Sequence, residues 1–181
     1  MSSQLFQQPP VLGFAAFSGT GKTTLLTRLL PQLCERGLRI GMIKHSHHDF
    51  DIDIPGKDSY RLRKAGASQM LVASSRRWAL ITETPGREEA SLAEMIGRLD
   101  RSTLDLILVE GFRHERFPKI ELHRAATGRP LLHPDDDSII AVASDVALAT
   151  ALPQLDLDDV AAIADFVDRF RLQTLQSGIT P

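Results

Sequence analysis

Cysteine occurs once in the 181 residues, at Cys34. A lone thiol excludes an internal disulfide and suits a reducing compartment. Its place on the first expected helix, with no second thiol nearby, reads as a small buried residue. Charge of one sign is also missing: the formal net charge is -2 and the pI is near 6.3. Such a balance argues against broad attraction to nucleic acid or membrane and leaves small ligands and proteins as the expected partners. No apolar run approaches the ~20 residues of a membrane span. Met1 to Pro10 carries no positive charge and only two apolar residues after the methionine, unlike a secretion signal. A soluble, cytoplasmic protein is expected. There is no internal repeat and no low-complexity segment, and the length fits one domain, 1–181, with its core at about 11–172.

What the chain does have is the run Ala16-Phe17-Ser18-Gly19-Thr20-Gly21-Lys22-Thr23-Thr24, set between an apolar stretch and a leucine-rich segment. It reads as a phosphate-binding P-loop. Glycines let the backbone N–H groups from Ser18 to Thr24 curl around an anion, and the helix that follows points its positive end at the same place. Lys22 would reach the outer phosphates of a nucleoside triphosphate, and the Thr23 hydroxyl would ligate the accompanying Mg²⁺. Thr24 is expected to cap or pack. The usual pattern has glycine where this chain has Ala16, a change that a negative φ would tolerate.

Periodicity supplies the surroundings. A strand is expected at 11–17, then a helix to Arg36 that Gly37 stops and Pro31 kinks or breaks. A second strand covers 39–45, and a short basic helix 57–65. Runs at 69–73 and 78–82 read as an antiparallel hairpin. A helix follows at 88–101, strands at 104–109, 118–123 and 138–143, and a last helix from Asp159 to about Leu172, with a frayed tail. Alternating strands and helices imply a three-layer α/β fold with a mostly parallel sheet.

Other segments bear chemistry. Asp105-Leu106-Ile107-Leu108-Val109-Glu110-Gly111 is a buried strand ending in a carboxylate, which places Glu110 at the sheet edge where Mg²⁺ on the phosphates would sit. Glu110 would then act on the metal or orient a water, and Asp105, at the opposite end, is expected to be structural. The loop His45-Ser46-His47-His48-Asp49-Phe50-Asp51-Ile52-Asp53, if extended, puts His45, His47, Asp49, Asp51 and Asp53 on one side. Three readings stay open for it: a metal site, a nucleotide-sensing loop with Asp49 on a Mg²⁺-linked water, or a solvated acidic loop. Lys57, Arg61 and Lys64 share one face of the basic helix, fit for an anionic ligand or for solvent. Asp145 follows a late strand, where a carboxylate can accept both N1–H and the exocyclic amine of guanine; the Asn-Lys that often precedes such an aspartate is absent. No glutamine or arginine acting on a terminal phosphate can be named.

Together, the P-loop, Ile43-Lys44-His45-Ser46-His47-His48-Asp49, Pro55-Gly56-Lys57-Asp58-Ser59, Leu108-Val109-Glu110-Gly111-Phe112 and Ala141-Val142-Ala143-Ser144-Asp145 closely resemble the molybdopterin-guanine dinucleotide biosynthesis adapter family, MobB, over about residues 11–170. The resemblance implies a P-loop NTPase fold, GTP with Mg²⁺ as cofactors, a homodimer, and at most slow GTP hydrolysis. It implies an accessory role beside MobA, the guanylyltransferase that joins GMP to molybdopterin. Gly19, Gly21, Lys22, Thr23 and Thr24 would hold phosphates and Mg²⁺, Asp145 would face the base, and His48 with its loop, Lys57 and Asp58 would line a cleft toward the second subunit or the pterin. Two rival classes are an ATP-dependent ligase or kinase of the dethiobiotin synthetase type, whose strand end also reads Val-Glu-Gly, and a metallochaperone GTPase, suggested by the histidines.

Overall fold

A computed structural model describes residues 9–46, 50–86 and 89–177. Its strands are β1 (Val11–Ala15), β2 (Ile40–Lys44), β3 (Gln69–Ala73), β4 (Trp78–Thr82), β5 (Leu106–Glu110), β6 (Lys119–His123), β7 (Ile139–Ser144) and β8 (Gln154–Asp156). The helices are α1 (Lys22–Glu35), α2 (Asp58–Lys64), α3 (Leu92–Gly97) and α4 (Val160–Ser177). The chain divides into two compact units, one running to His45 and resuming at Leu92, the other Ser46–Ser91.

The first unit is a six-stranded parallel sheet in the order β2-β5-β1-β6-β7-β8. β1 and β5 are apolar on both faces, as strands covered on two sides must be, while β6 buries the charged Lys119 and Glu121 on one of its faces. Leu12, Phe14, Leu106, Leu108, Ile120 and Leu122 share a core with Leu25, Leu26, Leu29 and Leu33 of α1 and Val160, Ile163, Ala164 and Val167 of α4. Val11, Ile43, Ile107 and Val109 belong to a second core with Leu92, Phe112 and Phe117. The three-layer α/β architecture is therefore the one expected.

Register explains an unusually short connection. Phe14 of β1 pairs with Glu110 at the end of β5 on one side and with Ile120 at the start of β6 on the other. Because β6 begins where β5 ends, eight residues (111–118) suffice to cross β1, where a parallel crossover commonly takes a dozen or more. The crossing is close: the Gly13 N–H donates to the Pro118 carbonyl at 2.8 Å, and a Cβ on Gly13 would stand 2.6 Å from the Phe117 ring. Gly13 thus lets the crossover lie flat on the sheet.

The second unit holds α2 and the β3–β4 hairpin, whose pairing runs Gln69↔Thr82 to Ala73↔Trp78, the bounds expected from sequence. Its polar centre is Arg63, which has 5% of its side chain exposed and pairs with Asp51 and Glu83, with Asp53 at 3.9 Å. The arginine's hydrogen bond holds the Asp51 carboxyl below its ordinary pKa.

Several boundaries differ from expectation. The 88–101 helix is shorter, because Glu115 Oε1 accepts from the Leu92 N–H at 2.8 Å and fixes its start, while Asp100 caps a separate turn at Arg101–Thr103. The last helix runs on to Ser177, where the hydroxyls of Thr174 and Ser177 donate to carbonyls one turn back. Helix α1 continues through Pro31 without breaking. Cys34 is exposed, a correction to its expected burial; at ~100° per residue it points well away from the Leu25, Leu26, Leu29 and Leu33 stripe.

Candidate nucleotide site

The P-loop joins β1 to α1 at the C-terminal edge of the sheet. Gly19 and Gly21 adopt φ of 84° and 100°, a left-handed region closed to most residues with a Cβ. Ala16 keeps a negative φ, so the missing glycine costs nothing there. Thr20 is buried, and its hydroxyl donates to the Phe17 carbonyl at 2.9 Å, which closes the loop on itself. Gly21 caps α1 without any side-chain hydrogen bond. The first N–H groups of the helix are therefore left for an anion, with the helix dipole behind them.

Lys22 curls back so that Nζ donates to the Ala16 carbonyl at 3.2 Å. Burial pushes its amine below the ordinary lysine pKa; Glu110 opposes this, while Lys44 and Arg113 add to it. Thr23 and Thr24 are exposed in the first turn, and the Thr24 carbonyl accepts from the Thr27 hydroxyl at 3.0 Å. Ser18 and Gly19 are exposed at the loop's tip. Glu110, 14% exposed at its side chain, receives a hydrogen bond from Lys44 Nζ at 3.2 Å. Asp105 is structural, as expected. It binds the Arg39 guanidinium at 2.9 and 3.0 Å, and that hydrogen bond holds its carboxyl below the usual range.

On the other side of β1, Asp145 follows β7. Its Oδ1 accepts from the Ala125 N–H at 2.8 Å, and its Oδ2 lies 3.6 Å from Arg124 Nη1. Arg124 also donates from Nε to the Thr20 carbonyl at 3.4 Å and sits 3.7 Å from Asp158. This guanidinium links the P-loop to the aspartate, a role sequence reading missed; its only signal was a basic residue directly after β6. Arg129, 5.6 Å from the Phe17 ring centre, was missed as well.

Placement separates the remaining candidates. His45 stacks on Phe112 with ring centres 4.4 Å apart, and its N–H donates to the Glu110 carbonyl at 2.8 Å, so it serves the strand ends. His47, His48 and Asp49 lie outside the described residues. Asp51 and Asp53 turn to Arg63 and Ser59 within the second unit. Lys57 and Asp58 belong to that unit too and are exposed at the start of α2. Among the described residues, no group of three or more His, Cys, Asp or Glu could hold a metal ion. The oxygen donors of Thr23 and Glu110 suit Mg²⁺, which commonly takes most of its ligands from phosphates and water. No described helix is long and apolar enough to cross a membrane.

The family described as molybdopterin guanine dinucleotide synthesis protein B matches residues 11–145. A molybdopterin-guanine dinucleotide biosynthesis adapter protein of Escherichia coli is 60% identical over 159 residues, covering 87% of this chain and 91% of that one. One of Haemophilus influenzae is 44% identical over 164 residues, 90% of each chain. Among solved structures, a crystal structure of molybdopterin-guanine biosynthesis protein B superposes with a TM-score of 0.71 at 28% identity, covering 88% of this chain and 99% of that one.

Proposed function

From membership of the molybdopterin guanine dinucleotide synthesis protein B family, to which this chain belongs, we propose that the protein holds GTP with Mg²⁺ and serves as an accessory in joining GMP to molybdopterin. The observation that carries this reading is the pairing of an uncapped α1 N-terminus behind Gly19, Gly21 and Lys22 with Asp145, joined to the loop through Arg124. Phosphates would rest on the loop, with Lys22 at the outer two. The base would meet Asp145, whose Oδ1 keeps one lone pair beside the Ala125 N–H. Guanine offers two adjacent donors to a carboxylate and adenine does not, which supports GTP over ATP.

Thr23 and Glu110 would hold Mg²⁺, which when bound neutralises charge on the phosphates. Lys44 donates a hydrogen bond to Glu110 at 3.2 Å and offsets its charge. Glu110, and Asp49 in the histidine loop, are the residues that would orient a water, and slow hydrolysis fits a site whose carboxylate is held by a lysine. The relatives named adapter proteins support a partner role beside a MobA-like guanylyltransferase in the cytoplasm, with His48, Lys57 and Asp58 toward that partner or the pterin. A homodimer is supported by the β3–β4 hairpin, which leaves Leu71, Trp78 and Leu80 exposed.

Calorimetric titration with GTP and ATP, with and without Mg²⁺, tests the reading. GTP is expected to bind at least tenfold more tightly, with Mg²⁺ dependence, and Asp145→Asn to narrow that preference. Equal affinity for the two nucleotides would remove guanine reading from Asp145.

A further inference from the structure

Sheet order brings the ends of neighbouring strands to one guanidinium. β6 lies between β1 and β7, with β8 beyond. His123, the last residue of β6, pairs with Ser144, the last of β7, so Arg124 and Asp145 are the first residues past two paired strand ends. The loop after β1 is the P-loop. A side chain leaving β6 can therefore reach the phosphate loop in one direction and the aspartate in the other.

Arg124 does both. Its Nε donates to the carbonyl of Thr20, a P-loop residue 2% exposed, at 3.4 Å. Its Nη1 lies 3.6 Å from Asp145 Oδ2, and its Nη2 lies 3.7 Å from Oδ1 of Asp158, just past β8. Each nitrogen of the fork thus faces a different loop. The backbone is held as well: the Arg124 carbonyl accepts from the Thr127 N–H at 3.0 Å and from its hydroxyl at 2.8 Å. The next N–H, of Ala125, donates to Asp145 Oδ1 at 2.8 Å.

Consecutive residues therefore approach the two oxygens of Asp145. A carboxylate anchored through one oxygen still turns about its last torsion, which is broad, and a cation at the second oxygen stops that turn. Each ionised oxygen has about two acceptor positions, so the Ala125 N–H and Arg124 take one apiece and leave one on each. Two such acceptors side by side match the adjacent N1–H and amine of guanine. The tie to Thr20 sets their spacing from the phosphate loop.

We infer that Arg124 is the positioning residue for base discrimination: it fixes the plane of Asp145 and its distance from the P-loop, so that guanine meets both oxygens while its phosphates rest on the loop. The inference rests on the guanine reading of Asp145 above and adds the residue that makes it selective. Phosphate holding has its own supports, the Thr20 hydroxyl on the Phe17 carbonyl and the uncapped start of α1, so the two roles separate experimentally.

Titration of wild type, Arg124→Ala, Arg124→Lys and Asp145→Asn with GTP, ATP and inorganic tripolyphosphate tests it, with thermal melting as the check on folding. Arg124→Ala should weaken GTP at least tenfold, and ATP and tripolyphosphate no more than threefold. Arg124→Lys keeps the charge, and with it any general attraction for phosphates, but one ammonium cannot face Thr20 and Asp145 together as the planar fork does. It should lose at least threefold for GTP with ATP and tripolyphosphate unchanged, and it carries the test if Arg124→Ala does not fold. Equal losses for all three ligands would make Arg124 a support of the loop and overturn the inference. A wild-type GTP-to-ATP ratio in the folded Arg124 variants, where Asp145→Asn narrows it, would overturn the inference alone. An unchanged ratio in Asp145→Asn would remove the guanine reading and the inference with it.

Discussion

Lys22 has to be a cation to hold phosphates, and its surroundings make that state costly. Burial comes first, and the charges of Lys44 and Arg113 act in the same direction against Glu110. The ligand-free amine therefore releases its proton at lower pH than an ordinary lysine, whereas bound phosphates favour the protonated form. Binding then takes up a proton at alkaline pH. Affinity for the triphosphate is expected to fall as pH rises through the lowered pKa, below the ordinary lysine range. Calorimetry in two buffers of different ionisation enthalpy would report the proton uptake, and a pH-independent heat and affinity would contradict it. Lys22 itself was legible in sequence because the P-loop spacing is a local property. Arg124 was not, since it acts on a loop far away in the chain.

Among the elements, the 111–118 crossover matters because it packs directly on β1, the strand that leads into the P-loop. Its fit depends on Gly13, whose missing Cβ leaves room for Phe117 and the Lys119 stem. Gly13→Ala is expected to lower stability by about 1–3 kcal/mol, the range for overpacking a tight core. A denaturant midpoint shifted with an unchanged slope would verify it, and a wild-type midpoint would show that the crossover yields easily. Element type was well read from sequence: the apolar run at 104–109 and the two β-type runs joined by a short polar link each point to one structure. Ends were read less well. The start of α3 is fixed by Glu115, 23 positions away, and β8 is three residues long with no pattern of its own.

At the scale of the molecule, the hairpin raises the question of what covers it. Leu71 pairs with Leu80 and Ala73 with Trp78 on one face, and Trp78 is 71% exposed. A two-stranded sheet is marginal by itself, and a contiguous apolar face of this kind marks an interface. If two copies meet there, Leu80→Lys should convert a dimer to a monomer in sedimentation velocity while the unfolding of the parallel sheet stays unchanged. A variant that stays dimeric would place the interface elsewhere, and a wild-type monomer would overturn the homodimer reading.

The sequence by itself determined the parts governed by near neighbours: the glycine loop with its lysine, the α/β class, the hairpin, and the carboxylate at the end of β5. Motif spacing also pointed to the family before any coordinates did. Only tertiary structure decided the roles of charges distant in sequence. Lys119 became a buried anchor for the Arg113 carbonyl, Asp51 and Asp53 became partners of Arg63, and Arg124 became the link from P-loop to Asp145. The reason is physical: periodicity assigns a residue to a face, but a charge takes its function from the partner that register and crossover bring within a few ångströms.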